Sequence, residues 1–321
     1  MNKAFASVEQ LDINPSTIFI PDNEIGKRVV KDLKNWNPRI MKTIEEVTDR
    51  LFNEKWENFL PDIPSNFVDI VITSPVYNVS LGNNKFRDKN KGYDSCDDNM
   101  PYEDYLEWMD KLFSECYRVL KPGGRIAINI GDGSNGSIIT HVDFSVMMRD
   151  KHKFIPITTI VWNKKQIGGS TSWGSYQSPS NPSFPTPFEF IIVMAKETRQ
   201  HVGDVSKISI SGKDFQRNSR ALWEFPPETR MMELYGHPAA FPEELPRRLI
   251  DQLTYEGDVV LDPFSGIGTT CSVAKQMKRH YIGIEISEKY HNTALQRIGK
   301  IPTITEKIIN GKKVDIPDWL T

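Results

Sequence analysis

The sequence predicts an α/β protein built on a doubly wound, mostly parallel sheet. Strand-like apolar runs alternate with amphipathic helical stretches along most of the chain, the signature of a parallel sheet covered by helices. The run "FVDIVITS" carries β-branched residues on both faces, as a strand covered on both sides should. Two βα units, running from "PEELPRRLIDQLTY" through "DVVLD" and "YIGIEI" to "EKYHNTALQRI", close the pattern.

Taken in order, residues 1–64 form an N-terminal extension punctuated by Pro15, Pro21 and Pro38. Within it Ile40, Ile44, Val47, Leu51 and Phe52 recur at helical intervals and predict one amphipathic helix. The strand "FVDIVITS" follows, and then a polar stretch to residue 102, of a length that often serves as a lid. Leu106, Met109, Leu112, Phe113, Cys116, Tyr117 and Leu120 make a helical stripe stopped by Lys121, Pro122 and Gly123. A strand in "RIAINIG", a helix near "THVDFSVMMRD" and a strand in "FIPITTIVW" continue the alternation. The strand "FEFIIVMAK" has no helix before it, so it is expected to pair antiparallel with residues 154–162 as a long-tipped hairpin. Residues 197–230 are polar, and the tail from 301 to 321 predicts a small hairpin around Asn310 and Gly311.

Composition narrows the functional classes. A formal charge of -2 and a pI near 6.3 exert no global pull on a polyanion, so a nucleic-acid face must come from local charge. Cys96, Cys116 and Cys271 lack C-x-x-C spacing and the six histidines form no H-E-x-x-H pair, which argues against a disulfide framework, zinc and metal catalysis. No apolar run reaches membrane-spanning length and the first residues lack a secretory h-region. A cytoplasmic protein with no membrane contact is expected, as a monomer or homodimer.

The chemistry gathers at two strand ends. In "VVLDPFSGIGTT", a strand leads through Asp262, Pro263 and Phe264 to Gly266 and Gly268, and Thr269 opens a helix. Glycines there bring backbone and a helix N-terminus close to a ligand. Glu285 ends the next strand, where a carboxylate can accept hydrogen bonds from both ribose hydroxyls. Cys271 stands where a dinucleotide fingerprint needs its third glycine, and the P-loop lysine is absent, so the pocket suits a nucleoside whose tail is not phosphate. At the other strand end, "TSPVYN" places Ser74, Pro75 and Tyr77 beyond an apolar run. A strand-ending turn explains such residues by itself, but ligands collect at the carboxyl ends of parallel strands.

With these motifs the chain resembles the AdoMet-dependent DNA amino-methyltransferases. Asp262–Thr270 matches their Asp-Pro-Phe-x-Gly-x-Gly-Thr-Thr cofactor turn, Glu285 their acidic strand end, and "SPVY" their Ser/Asp-Pro-Pro-Tyr catalytic motif, with Val76 in place of the second proline. The segment from Gly236 to Ile250 resembles the one leading into the cofactor turn, which would set His237, Pro238 and Phe241 near the methionine end of the cofactor. Catalytic motif before cofactor motif is the circularly permuted order called β.

The resemblance implies the class I AdoMet-dependent methyltransferase fold, with S-adenosyl-L-methionine as cofactor and double-stranded DNA as substrate. It divides the chain into a catalytic half at 65–196, a target-recognition region at 197–235 with loop 163–187, and a cofactor half at 236–300. Ser74 and a main-chain carbonyl would hold the amine, Pro75 would stiffen the turn, and Tyr77 would stack on a flipped base. Serine rather than aspartate leans toward cytosine N4, with adenine N6 as the alternative. RNA or a protein side chain is a second class of acceptor, and a non-catalytic AdoMet- and DNA-binding regulator a third reading. A restriction endonuclease of the same system is the candidate partner.

For DNA contacts, residues 162–188 carry Lys164, Lys165 and aromatics including Trp173, and no carboxylate. In residues 196–220, Arg199, Lys213, Arg217 and Arg220 contribute to a local basic excess suited to phosphates. A solvated loop with ordinary charges is the plain alternative.

Overall fold

The computed structural model describes residues 41–79, 98–133, 138–165 and 174–299 except 183, 185, 230–234, 236 and 238, together with the backbones of 304–309 and 312–317. The chain divides into the units Met1–Ile40 and Met41–Thr321, of which only the second falls within the described residues.

Helix α1 (Ile44–Val47) opens with a capping box in which Thr43 Oγ1 accepts from the Glu46 amide and the Glu46 carboxylate accepts from the Thr43 amide. The single amphipathic helix expected here is not formed. Asp49 adopts a left-handed φ of 58°, exchanges backbone and side-chain hydrogen bonds with Tyr281, and starts strand β1 (Arg50–Phe52). Pairing with a strand more than 200 residues away in sequence overrides the local helical period. A short helix α2 (Trp56–Phe59) follows.

Strand β2 (Val68–Thr73) leads to helix α3 (Tyr102–Val119), strand β3 (Leu120–Ile130) and helix α4 (Thr140–Val146), which a π-helical turn over Met147–Lys151 extends. Strands β4 (Ile155–Asn163) and β5 (Phe188–Ala195) form the expected antiparallel hairpin. The polar segment 197–230 contains helix α5 (Gly212–Asn218) and strand β6 (Leu222–Glu224). Helix α6 (Glu244–Leu253), strand β7 (Val259–Asp262), helix α7 (Thr269–Gln276), strand β8 (His280–Ile284) and helix α8 (Glu288–Gly299) complete the two βα units. Strands β9 (Ile304–Ile309) and β10 (Lys312–Pro317) form the expected tail hairpin, whose turn, and the lid segment 80–97, lie outside the described residues.

The main sheet runs in the order β1-β8-β7-β2-β3-β5-β4-β6, with β5 alone antiparallel to its neighbours. Its side chains alternate between two cores. Ile126, Ile128 and Ile130 face one layer with α3 and α4, while Ala127, Ile70 and Ile72 face the other with α6 and α7. From β2 the chain moves through α3 to β3 on one side, and from β7 through α7 to β8 on the other. Adjacent strands β2 and β7 therefore bound a topological switch point, where an open α/β sheet leaves a crevice at its carboxyl ends. No helix among the described residues is long and apolar enough to cross a membrane.

Candidate functional site

Both sequence motifs emerge at that crevice. Strands β2 and β7 pair in register through Ile70–Val260 and Val71–Leu261, which brings the next residues together. Thr73 Oγ1 donates to Asp262 Oδ1 at 2.7 Å, tying the end of one motif strand to the other. One strand further, the Glu285 carboxylate accepts from the Gly266 amide through Oε2 and the Ser287 amide through Oε1, both at 2.8 Å. The glycine turn and the acidic strand end are thus one hydrogen-bonded unit.

A cavity of about 380 Å³ joins them. Ser74 and Val76 line it together with Asp262, Phe264, Gly266, Thr269, Glu285, His237 and Phe241. Its size, its largely apolar wall and the Glu285 carboxylate in its lining fit a nucleoside bearing an uncharged or cationic tail better than a phosphate. Gly268 is not in the lining: at φ 76° its missing Cβ would meet Ala294 Cβ at 2.8 Å, so it serves the packing of α7 on α8. Gly266 has φ 52°, and a Cβ there would lie 2.9 Å from His237 Nε2. Pro238 lies outside the described residues.

The cavity also has a wall that sequence motifs did not reveal. Glu54, Lys55, Trp56 and Glu57 line it from the end of β1. They are held by the Glu54 amide on Glu285 O at 3.1 Å and by Asn53 Nδ2, which donates to the Glu285 and Ile286 carbonyls. Trp108 closes the same side, edge-on to Phe264 at 5.6 Å. Only recognising residues 50–52 as a strand could have found this wall, because ligand-facing residues follow strand ends.

Burial tunes two groups. Asp262 is 1% exposed, and burial pushes its carboxyl up to about 6 against the hydrogen bonds it accepts. Burial, then the Arg297 charge, pushes His237 down to about 4, so its ring is neutral in the cavity wall, edge-on to Tyr290. Cys116 and Cys271 are free and buried, and burial raises both thiols, which suits packing rather than nucleophilic attack.

Around Ser74 the turn is firmly held despite Val76. The Val76 side chain is buried and Tyr105 donates to its carbonyl at 2.7 Å. Asn78 clasps Met100 through two bonds, fixing the two ends of the long loop to each other. Ser74 Oγ reaches Tyr77 Oη at 3.0 Å and Asn129 O at 3.1 Å, and Tyr77 Oη donates to Glu189 Oε2 at 2.9 Å. The sequence reading used only the ring of Tyr77, and neither Asn129 nor Glu189.

The basic residues scatter. Lys164 is paired with Glu189 and lies 5.4 Å from the Trp162 ring centre, so its ammonium is already engaged beside Tyr77. Lys165 stands 3.8 Å from Glu224, and Trp173 is outside the described residues. Arg199 lies away from Ser74: β5 runs antiparallel to β3, so its far end meets the start of β3, opposite Ser74, and there Arg199 donates to Pro156 O. The chain from Gln200 onward continues under the amino ends, where His201 meets Asp258 just before β7. Lys213 and Arg217 lie one turn apart on α5, Arg217 paired with Asp214 at 3.1 Å, and Arg220 is exposed just before β6.

Comparison with known proteins fits this geometry. The model of a family described as DNA methylase, covering N6 and N4 enzymes, matches residues 68–296. The type II methyltransferase M.BglII of Bacillus subtilis is 32% identical over 268 residues, which is 79% of this chain and 70% of that protein. A Thermus thermophilus protein assigned as a DNA modification methylase, solved in complex with S-adenosyl-L-methionine, superposes with a TM-score of 0.61. It is 28% identical, covering 78% of this chain and 93% of that one. The cytosine-N4-specific PvuII DNA methyltransferase shares the fold alone, with a TM-score of 0.59 at 19% identity over 81% of this chain and 88% of its own. The expected doubly wound methyltransferase architecture is the one observed.

Proposed function

Because the chain belongs to the N6/N4 DNA methylase family, we propose that it methylates the exocyclic amine of a base flipped from double-stranded DNA, with cytosine N4 preferred over adenine N6. The observation that carries this reading is the single cavity shared by Ser74 and the Gly266–Glu285 unit. S-adenosyl-L-methionine bound there would supply an electrophilic sulfonium methyl group for transfer to the amine.

The chain's own residues bind and orient. Glu285 would accept from the ribose hydroxyls, Phe264 and Phe241 would wall the apolar part, and the Asp262 carboxylate would face the methionine end of the cofactor. Ser74 Oγ and the Ser74 or Pro75 carbonyl accept from the amine N–H groups, drawing its lone pair out of the ring and aiming it at the cofactor. Lys213, Arg217 and Arg220 remain candidates for phosphate contact. A DNA substrate of this kind fits a cytoplasmic enzyme of a restriction-modification system with a companion endonuclease.

The test is to incubate the protein with labelled S-adenosyl-L-methionine and methyl-free DNA, digest to nucleosides and identify the labelled base. N4-methylcytosine is expected, and N6-methyladenine would move the preference to the other amine. Ser74→Ala should abolish transfer while cofactor and duplex still bind. Transfer that survives this change removes Ser74 from the chemistry, and no transfer by the unaltered protein leaves a binding regulator.

A further inference from the structure

Glu189 is the second residue of β5, and neither sequence motif asks for a carboxylate there. Its side chain is 12% exposed and makes three contacts. Lys164 binds Oε1, while Tyr77 Oη and Asn129 Nδ2 donate to Oε2 at 2.9 and 2.8 Å. Resting on the reading of Ser74 as the amine's acceptor, we propose that Glu189 is a positioning residue that fixes the direction of the hydrogen bond between Tyr77 and Ser74.

The argument is one of donor and acceptor inventory. An ionised carboxylate only accepts, so Tyr77 must spend its one hydroxyl hydrogen on Glu189. The tyrosine oxygen is then left to accept, which it does from Asn129 Nδ2 at 2.7 Å and from Ser74 Oγ. The second oxygen within reach of the Ser74 hydroxyl is the Asn129 carbonyl, which also only accepts. The Ser74 hydrogen therefore points into the network whichever of the two it uses. Only Asn129 Nδ2, at a long 3.5 Å, donates back to Ser74 Oγ, so a lone pair is left for the cavity, where an amine needs an acceptor. Lys164 holds the carboxylate in place, and the strand backbone under Glu189 makes the arrangement rigid before any base arrives. A neutral amide at position 189 could donate to Tyr77 instead, turning the tyrosine hydroxyl toward Ser74 and occupying a lone pair that the amine requires.

The full chain carrying Glu189→Gln should be compared with the unaltered protein in steady-state methylation of methyl-free genomic DNA, with cofactor binding followed by calorimetry. The expected result is a kcat at least tenfold lower, with cofactor Kd and the KM for DNA within twofold. Tyr77→Phe, which keeps the ring and removes the oxygen, should add little loss on top of Glu189→Gln, because both cut one chain. A kcat within twofold of the unaltered protein overturns the proposal. So does cofactor affinity lost in parallel with kcat, the mark of a merely structural carboxylate, or fully multiplicative losses in the double variant. Should Ser74→Ala leave transfer intact, the reading beneath fails and this assignment falls with it, whereas loss in Ser74→Ala with none in Glu189→Gln sinks the role of Glu189 alone.

Discussion

Replacing Asp262 with Asn should make the cofactor-free protein more stable, and increasingly so as pH rises. The carboxyl moves from its usual 3.8 to about 6 on folding, with burial as the main cause. A raised carboxyl favours folding fully only below pH 3.8, and that contribution is lost as pH climbs through 6. The shift of roughly two units corresponds to about 3 kcal/mol of cost at pH 8, and to about half of that at pH 5. Asn carries no charge at either pH, and its carbonyl can keep both bonds that Oδ1 now accepts, from Thr73 Oγ1 at 2.7 Å and the Phe264 amide at 3.1 Å. Urea unfolding of both proteins at pH 5 and pH 8 isolates the effect, because other titrating groups cancel in the difference between them. The advantage of Asp262→Asn should grow by about 1–2 kcal/mol between the two pH values. A difference that stays flat, or shrinks toward pH 8, would show that the folded carboxylate is not disfavoured and would refute the account of its burial.

Two further outcomes test the geometry. Gly266→Ala forces a side chain into a left-handed φ and against His237, so cofactor affinity should fall at least tenfold by calorimetry, with stability lower by about 1–2 kcal/mol; unchanged affinity would mean that the turn does not face the ligand. Arg199→Ala should leave duplex affinity within twofold in fluorescence anisotropy, since Arg199 sits at the opposite end of the sheet from Ser74, and a large loss would show that DNA wraps that far.

Much of the fold was legible because its signals are local. The β-branched run of β2, the helical stripe of α3, and the two βα units need only near neighbours to declare themselves, and the structure forms each of them. The motif order and turn chemistry around Ser74 and Gly266 were likewise written in adjacent residues. What failed was whatever depends on a distant partner. Residues 50–52 have helical spacing yet become β1, because an open edge of β8 and the bonds of Asp49 to Tyr281 reward an extended chain. Arg199 belongs to a basic run in sequence but to the end of the sheet opposite Ser74 in space, since only the antiparallel course of β5 decides where that run begins.

The sequence by itself determined the alternation of strands and helices, the two motif-bearing strand ends and the family to which they belong. Tertiary structure decided that β2 and β7 lie side by side, so that Thr73 touches Asp262 and the two ends share one cavity. It also decided that Glu189 from an antiparallel strand reaches Tyr77. Spacing along a chain records which way each side chain points within its own element, whereas pairing between elements is fixed by buried area and hydrogen bonds that exist only once the sheet is assembled.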